Sequence, residues 1–205
     1  MSSLKTFTEP KGEQKQLRFY IDVTAFQQRF GSGKYLTAIG EVHAAIKAIG
    51  AIRGKNSDGT KQQVVKFFPV SESIKADIFL TIGTVDGVGD MDVRVEDIVG
   101  ATKFQHHEGT GKPYAQIVMD EEQDWGIGEK QPWLKRLFSR EKISLKRWVI
   151  HEWLHAVGVP HTYPGGLRSL MDEENWPDND PTIPEYDEAA LCRVHGFGHP
   201  FEKYL

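Results

Sequence analysis

Cysteine is almost missing from this chain. A single residue, Cys192, stands among 205, which excludes an intramolecular disulfide framework and a thiolate-rich metal cage. Any metal held here would need histidine or carboxylate ligands. Long apolar runs are missing as well: none approaches the roughly 18 residues of a spanning helix, so no membrane association is expected. Charge of one sign is nowhere concentrated. The 25 basic and 29 acidic residues leave a formal net charge of −4 and no cationic track for phosphates, so nucleic acid is not an expected partner. Repeats and low-complexity tracts are lacking too. With 39% hydrophobic and 26% charged residues, the composition suits a packed domain rather than a disordered chain. One core suffices at this length, because single cores stop growing only beyond about 250 residues.

The start, Met1 to Gln16, is polar and has neither the charged head nor the apolar run of a secretory signal. It is expected to be a flexible arm, residues 1–16, ahead of one domain over 17–205. Leu17, Phe19, Ile21 and Val23 alternate with polar neighbours, the two-residue period of a strand with one buried face. A helix capped by Ser32 is predicted next, its stripe carried by Leu36, Ile39, Val42, Ile46 and Ile49 and its end marked by Gly50. Gln63–Phe68, Ala76–Ile82 and Tyr114–Met119 read as strands. Between the last two, Gly83 to Lys112 reads as a long loop region with room for one short additional strand. A second helix should start at Ser144 and stop at Gly158, and a last short one should cover Glu185 to Val194. This order predicts an α+β fold: a twisted mixed β-sheet with two long helices, and a short irregular C-terminal part ending in a helix.

The second helix carries the chemistry. Residues 151 to 161 read His-Glu-Trp-Leu-His-Ala-Val-Gly-Val-Pro-His. One turn apart on a helix, His151 and His155 share a face and can bind one ion. Gly158 supplies the left-handed conformation that ends a helix, and Pro160 reinforces the stop, so that His161 can swing back as third ligand. Three histidines leave one position of a tetrahedral Zn²⁺ open, the arrangement of a catalytic site. Glu152, next to the first ligand, is placed to act as a general base without entering the coordination sphere. The five fixed positions would coincide by chance in roughly one such sequence in ten thousand, which decides against coincidence.

These eleven residues, followed by Ser169-Leu170-Met171, resemble the metzincin zinc endopeptidases, and the triplet is most similar to the matrixin branch. Ala76-Asp77-Ile78, Ile117 to Trp125 and Asp187 to Gly196 resemble matrixin segments more weakly. The resemblance implies a metzincin-like domain with subdomains 17–158 and 159–205, zinc on His151, His155 and His161, and Glu152 as the base. It further implies Met171 as an apolar floor beneath the metal, substrate extended along an edge strand at Tyr114–Met119, and a pocket wall from Glu173 to Tyr186 that includes Trp176. Asp172 and Glu173 stand where the astacins and serralysins place a metal-reaching tyrosine, which disfavours that branch. No cysteine switch is visible; Cys192 reads as a small buried residue. Most members of the family act outside the cell.

The remaining candidates are weaker. His106 and His107 lie where matrixins often hold a structural zinc. Asp86, Asp90, Asp92, Glu96 and Asp97 could offer oxygen ligands to Ca²⁺, although they fit no EF-hand. His43, His195 and His199 read as surface or hydrogen-bonded residues, and Trp148 and Trp153 as packing of the second helix on the sheet. The expectation is therefore a monomeric zinc endopeptidase acting on protein or peptide substrates. Two alternatives stand beside it: a zinc exopeptidase of restricted specificity, as in the archaemetzincins, whose additional cysteine ligands are missing here, and a zinc-stabilised binding module without turnover.

Overall fold

Alternating burial along the first strand sets the architecture. In a computed structural model describing residues 13–85, 100–128, 142–172 and 182–205, β1 (Lys15–Ile21) buries Leu17, Phe19 and Ile21 on one face. Slipping its pairing by one residue would turn all three outward. The chain continues through α1 (Val23–Gly50), β2 (Arg53–Lys55), β3 (Lys61–Gln63), β4 (Val65–Pro69), β5 (Ile78–Gly83), β6 (Gly100–His106) and β7 (Pro113–Asp120). It then forms β8 (Trp125–Gly126), β9 (Ile143–Ser144), α2 (Leu145–Ala156) and α3 (Glu185–Val194). Among the described residues, five strands make one sheet in the order β4-β1-β5-β7-β6, parallel except for β6, which runs antiparallel to β7. The fold is α+β with a mixed sheet, as the sequence predicts, and the sheet is mostly parallel.

Helices α1 and α2 pack on each other and on the sheet, α1 against β4 and β5, α2 against β6 and β7. The two tryptophans of α2 are both fully buried: Trp153 meets Phe19 and Phe67 edge-on, and Trp148 lies against Trp125. At about 1.5–3 kcal/mol per large apolar side chain, such contacts fix the helix on the sheet. The β2–β3 hairpin joins the C-terminal segment through paired backbone bonds between Lys55 and Gly198. Gly54 there lets Phe197 approach too closely for any Cβ, with Cys192 Sγ 3.2 Å from where one would stand. Cys192 is fully buried, and burial pushes its thiol up to about 12, as suits a small core residue. No helix among the described residues is long and apolar enough to cross a membrane.

Some expectations need correction. Lys15 and Gln16, assigned to the arm, already belong to β1, where they pair with Val65 and Lys66; residues 1–12 lie outside the described residues. The first helix begins at Val23 rather than at Ser32. Asp22 caps it by accepting from the Ala25 N–H, and Gly31, at φ 69°, kinks it into two stretches. Phe26 is the one fully buried side chain of the first stretch, so no apolar stripe announces it, and Leu36 is 65% exposed rather than part of the stripe. The predicted edge strand is not at the edge. β7 lies between β5 and β6, with Ala115, Ile117, Val118 and Met119 all buried, the near-continuous burial of an interior strand. The outer position belongs to β6, inside the segment read mainly as loop, because its half-exposed residues lack an apolar alternation.

Candidate metal centre

Helix α2 starts cleanly. Ser144 accepts from the Arg147 N–H at its N-terminus, satisfying one of the free donors of a helix start. Two turns later His151 and His155 project from the same face, and the helix ends after Ala156. Gly158, at φ 96°, takes the left-handed turn while its N–H and that of Val159 bond back to the carbonyls of His155 and Leu154. The chain then doubles back, and Thr162 N–H donates to the Met171 carbonyl at 2.8 Å. His161 is thereby carried over the helix end.

The three imidazoles converge through their Nε2 atoms. Separations are 3.1 Å for His151–His155, 2.8 Å for His155–His161 and 3.3 Å for His151–His161. Two nitrogens bound to a tetrahedral zinc at 2.0–2.1 Å stand about 3.3 Å apart, so the closest pair needs to open by only about half an ångström. Tautomers are set from behind. His151 Nδ1 donates to the Leu170 carbonyl at 2.6 Å and His155 Nδ1 to the Val159 carbonyl at 2.9 Å. A carbonyl can only accept, so Nδ1 carries the proton and the Nε2 lone pair of each neutral ring faces the common centre. Protons are a poor counter-charge there. Burial holds His151 down to about 4, and burial followed by its two histidine neighbours holds His155 well below its usual value. Two inward lone pairs with a third imidazole beside them suit a cation, and the histidines lie close enough to hold a metal ion.

Glu152 is buried beside them, its Oε1 4.0 Å from His151 Nε2. Its other carboxylate oxygen accepts from the Thr102 hydroxyl at 2.7 Å. On the far side of His151, the Ser169-Leu170-Met171 turn is held by Asp187 of α3. The Asp187 carboxylate accepts from Ser169 Oγ and from the Leu170 N–H, both at 2.6 Å, and Ser169 Oγ accepts from the Met171 N–H at 2.9 Å. Met171 itself is fully buried. Burial raises Asp187 to about 6 despite those two hydrogen bonds.

The structure therefore brings His151, His155, His161 and Glu152 together, with Met171 on the adjoining turn. It keeps the other histidines elsewhere. His43 meets Phe19 edge-on, buried His107 stacks on Tyr114 and bonds the Ala76 carbonyl, and His195 bonds the Val157 carbonyl. His199 neighbours Glu188. Among the described residues, the three histidines of the motif form the one cluster of this kind; His106 and His107 join no second one. The proposed calcium ligands Asp86, Asp90, Asp92, Glu96 and Asp97, and Glu173 to Pro181 of the pocket wall with Trp176, lie outside the described residues. Thr102 and Asp187 are site residues that sequence reasoning misses. Asp187 has one signal, its place in the first turn of a predicted helix, but Thr102 has none. No protein-family model matches the chain, and comparison with curated proteins finds no match either.

Proposed function

We propose that this chain is a metzincin-like zinc endopeptidase, closest to the matrixin branch, which hydrolyses internal bonds of extended polypeptides. The observation that carries the reading is the convergence of three Nε2 atoms, two of them with lone pairs turned inward by backbone carbonyls, with one glutamate carboxylate oxygen 4.0 Å from His151 Nε2. His151, His155 and His161 would hold the ion. Zinc, when bound, supplies Lewis acidity that activates water near neutral pH and polarises a carbonyl. Glu152 Oε1 takes up the water proton and hands it to the leaving amine. Met171 gives the cluster an apolar, fully buried neighbouring turn.

The sheet supports the same reading. Among the described residues, β6 is the outer strand beside α2, antiparallel to β7, and an extended substrate can add to such an edge through backbone hydrogen bonds. Placing substrate along β6 replaces the sequence-based placement along Tyr114–Met119. The test is digestion of an unfolded protein by the zinc-loaded chain. Internal cleavage that disappears in Glu152→Ala, with zinc still at about one per chain, is the expected result. Release of terminal residues only would point to an exopeptidase, and zinc binding with no cleavage of any peptide would point to a binding module.

A further inference from the structure

We infer that Thr102 is a positioning residue for Glu152: its hydroxyl donates to Oε2 and so keeps Oε1 directed at the histidine cluster. This rests on the endopeptidase reading above. The contact is built by two successive rungs between β6 and α2. On the first, Gly100 lies so close to Trp148 that a Cβ on it would stand 2.1 Å from the indole Cζ2. Two residues along the strand and four along the helix, the second rung sets Thr102 Oγ1 2.7 Å from Glu152 Oε2 and 3.1 Å from the Glu152 carbonyl. Positions two apart share a strand face, and positions four apart share a helix face. The glycine thus brings strand and helix near enough for a side chain as short as threonine to reach the carboxylate.

Register holds the hydroxyl there. Thr102 pairs with Ile117 near the middle of seven consecutive β6–β7 pairs. A hydroxyl has one proton to give, and of the two acceptors the carboxylate oxygen is both the closer and the charged one, which makes the stronger bond. Glu152 Oε2 is then committed to the strand. Its partner Oε1, on the side of His151 Nε2, is the oxygen that takes part in proton transfer, and free rotation of the carboxylate is suppressed. The competing assignment gives the proton to the Glu152 carbonyl, which would make Thr102 a brace for the helix and nothing more.

Thr102→Val keeps the shape and removes the donor; Thr102→Ser keeps the donor. In the zinc-loaded full chain, acting on a quenched fluorescent peptide that the wild type cleaves, Thr102→Val should lower kcat about ten- to a hundredfold, the range for a hydrogen bond to a charged group. KM should stay within about twofold, and Thr102→Ser should return kcat to within about threefold of wild type. A readout independent of turnover comes from the metal-free protein, in which the Thr102 hydroxyl proton is followed by NMR. Its resonance should move in Glu152→Ala if the carboxylate accepts it, and stay in place if the carbonyl does. Wild-type kcat in Thr102→Val, or an unmoved hydroxyl resonance, overturns the inference. A zinc-loaded wild type that cleaves no peptide overturns the endopeptidase reading instead, and the hydroxyl resonance still decides which oxygen Thr102 serves.

Discussion

Asp187 offers a test of how the histidine cluster is supported from behind. It sits in the first turn of α3, wholly buried, and holds the turn whose Leu170 carbonyl fixes His151. Burial raises its carboxyl from the ordinary 3.8 to about 6, and the hydrogen bonds from Ser169 and the Leu170 N–H only partly oppose this. The folded protein therefore binds the proton more tightly than the unfolded chain does. The stability associated with that proton is fully present below about pH 4 and is lost as pH rises through about 6. From 3.8 to about 6, the loss amounts to about 3 kcal/mol by pH 7. Asparagine does not titrate. Asp187→Asn loses an acceptor at every pH, an offset that is constant, so the wild-type advantage over Asp187→Asn should shrink by about 2.5 kcal/mol between pH 4, where the unfolded carboxyl is already partly ionised, and pH 7. Urea unfolding of both metal-free proteins at fixed ionic strength measures it, and histidine titrations common to both cancel in the difference. A difference that stays flat with pH, or grows as pH rises, would show that Asp187 is already ionised at pH 4 and that its burial is not what governs it.

Two further outcomes follow from the geometry. His161→Ala removes one of three converging ligands and should weaken zinc binding by more than about a hundredfold, since loss of an outer partner alone costs about ten- to a hundredfold; competition with a chromophoric chelator measures it, and unchanged affinity would show that His161 is no ligand. Gly100→Ala places a Cβ 2.1 Å from Trp148 Cζ2 and 2.8 Å from the Val118 carbonyl, so it should lower unfolding free energy by about 1–3 kcal/mol, and a fully stable variant would contradict the close packing of β6 on α2.

How much of this the sequence carries depends on the range of each interaction. The histidine cluster is legible because helix geometry turns a spacing of four into one face, and because Gly158 and Pro160 announce the turn that returns His161. The strand Leu17–Ile21 is legible because one face of it is buried. The start of α1 is not: from Val23 to Phe30 a single fully buried side chain, Phe26, leaves no period to read, and the signal there is the Asp22 cap. Nor is the order of β6 and β7. Both pair along their lengths, and what distinguishes interior from edge is which faces are covered, a property of the neighbours rather than of the strand. Val118 shows the difference: it lies on the face opposite to Ala115, Ile117 and Met119, and is buried nonetheless.

The support around the ligands is hidden for the same reason. Thr102 meets Glu152 across 50 positions of sequence, and Asp187 meets Leu170 across 17; no local pattern encodes either. Yet these contacts distinguish a site from a motif. Two histidines on an exposed helix could satisfy the spacing while their rings turn freely in water. Here the Leu170 and Val159 carbonyls fix which nitrogen of His151 and His155 carries the proton, and the Nε2 lone pairs of these two rings are aimed inward. The three Nε2 atoms stand 2.8 to 3.3 Å apart, and burial disfavours a proton on His151 and His155. Histidines this close can hold a metal ion, and the Leu170 carbonyl that orients His151 belongs to the turn tied down by Ser169 and Asp187.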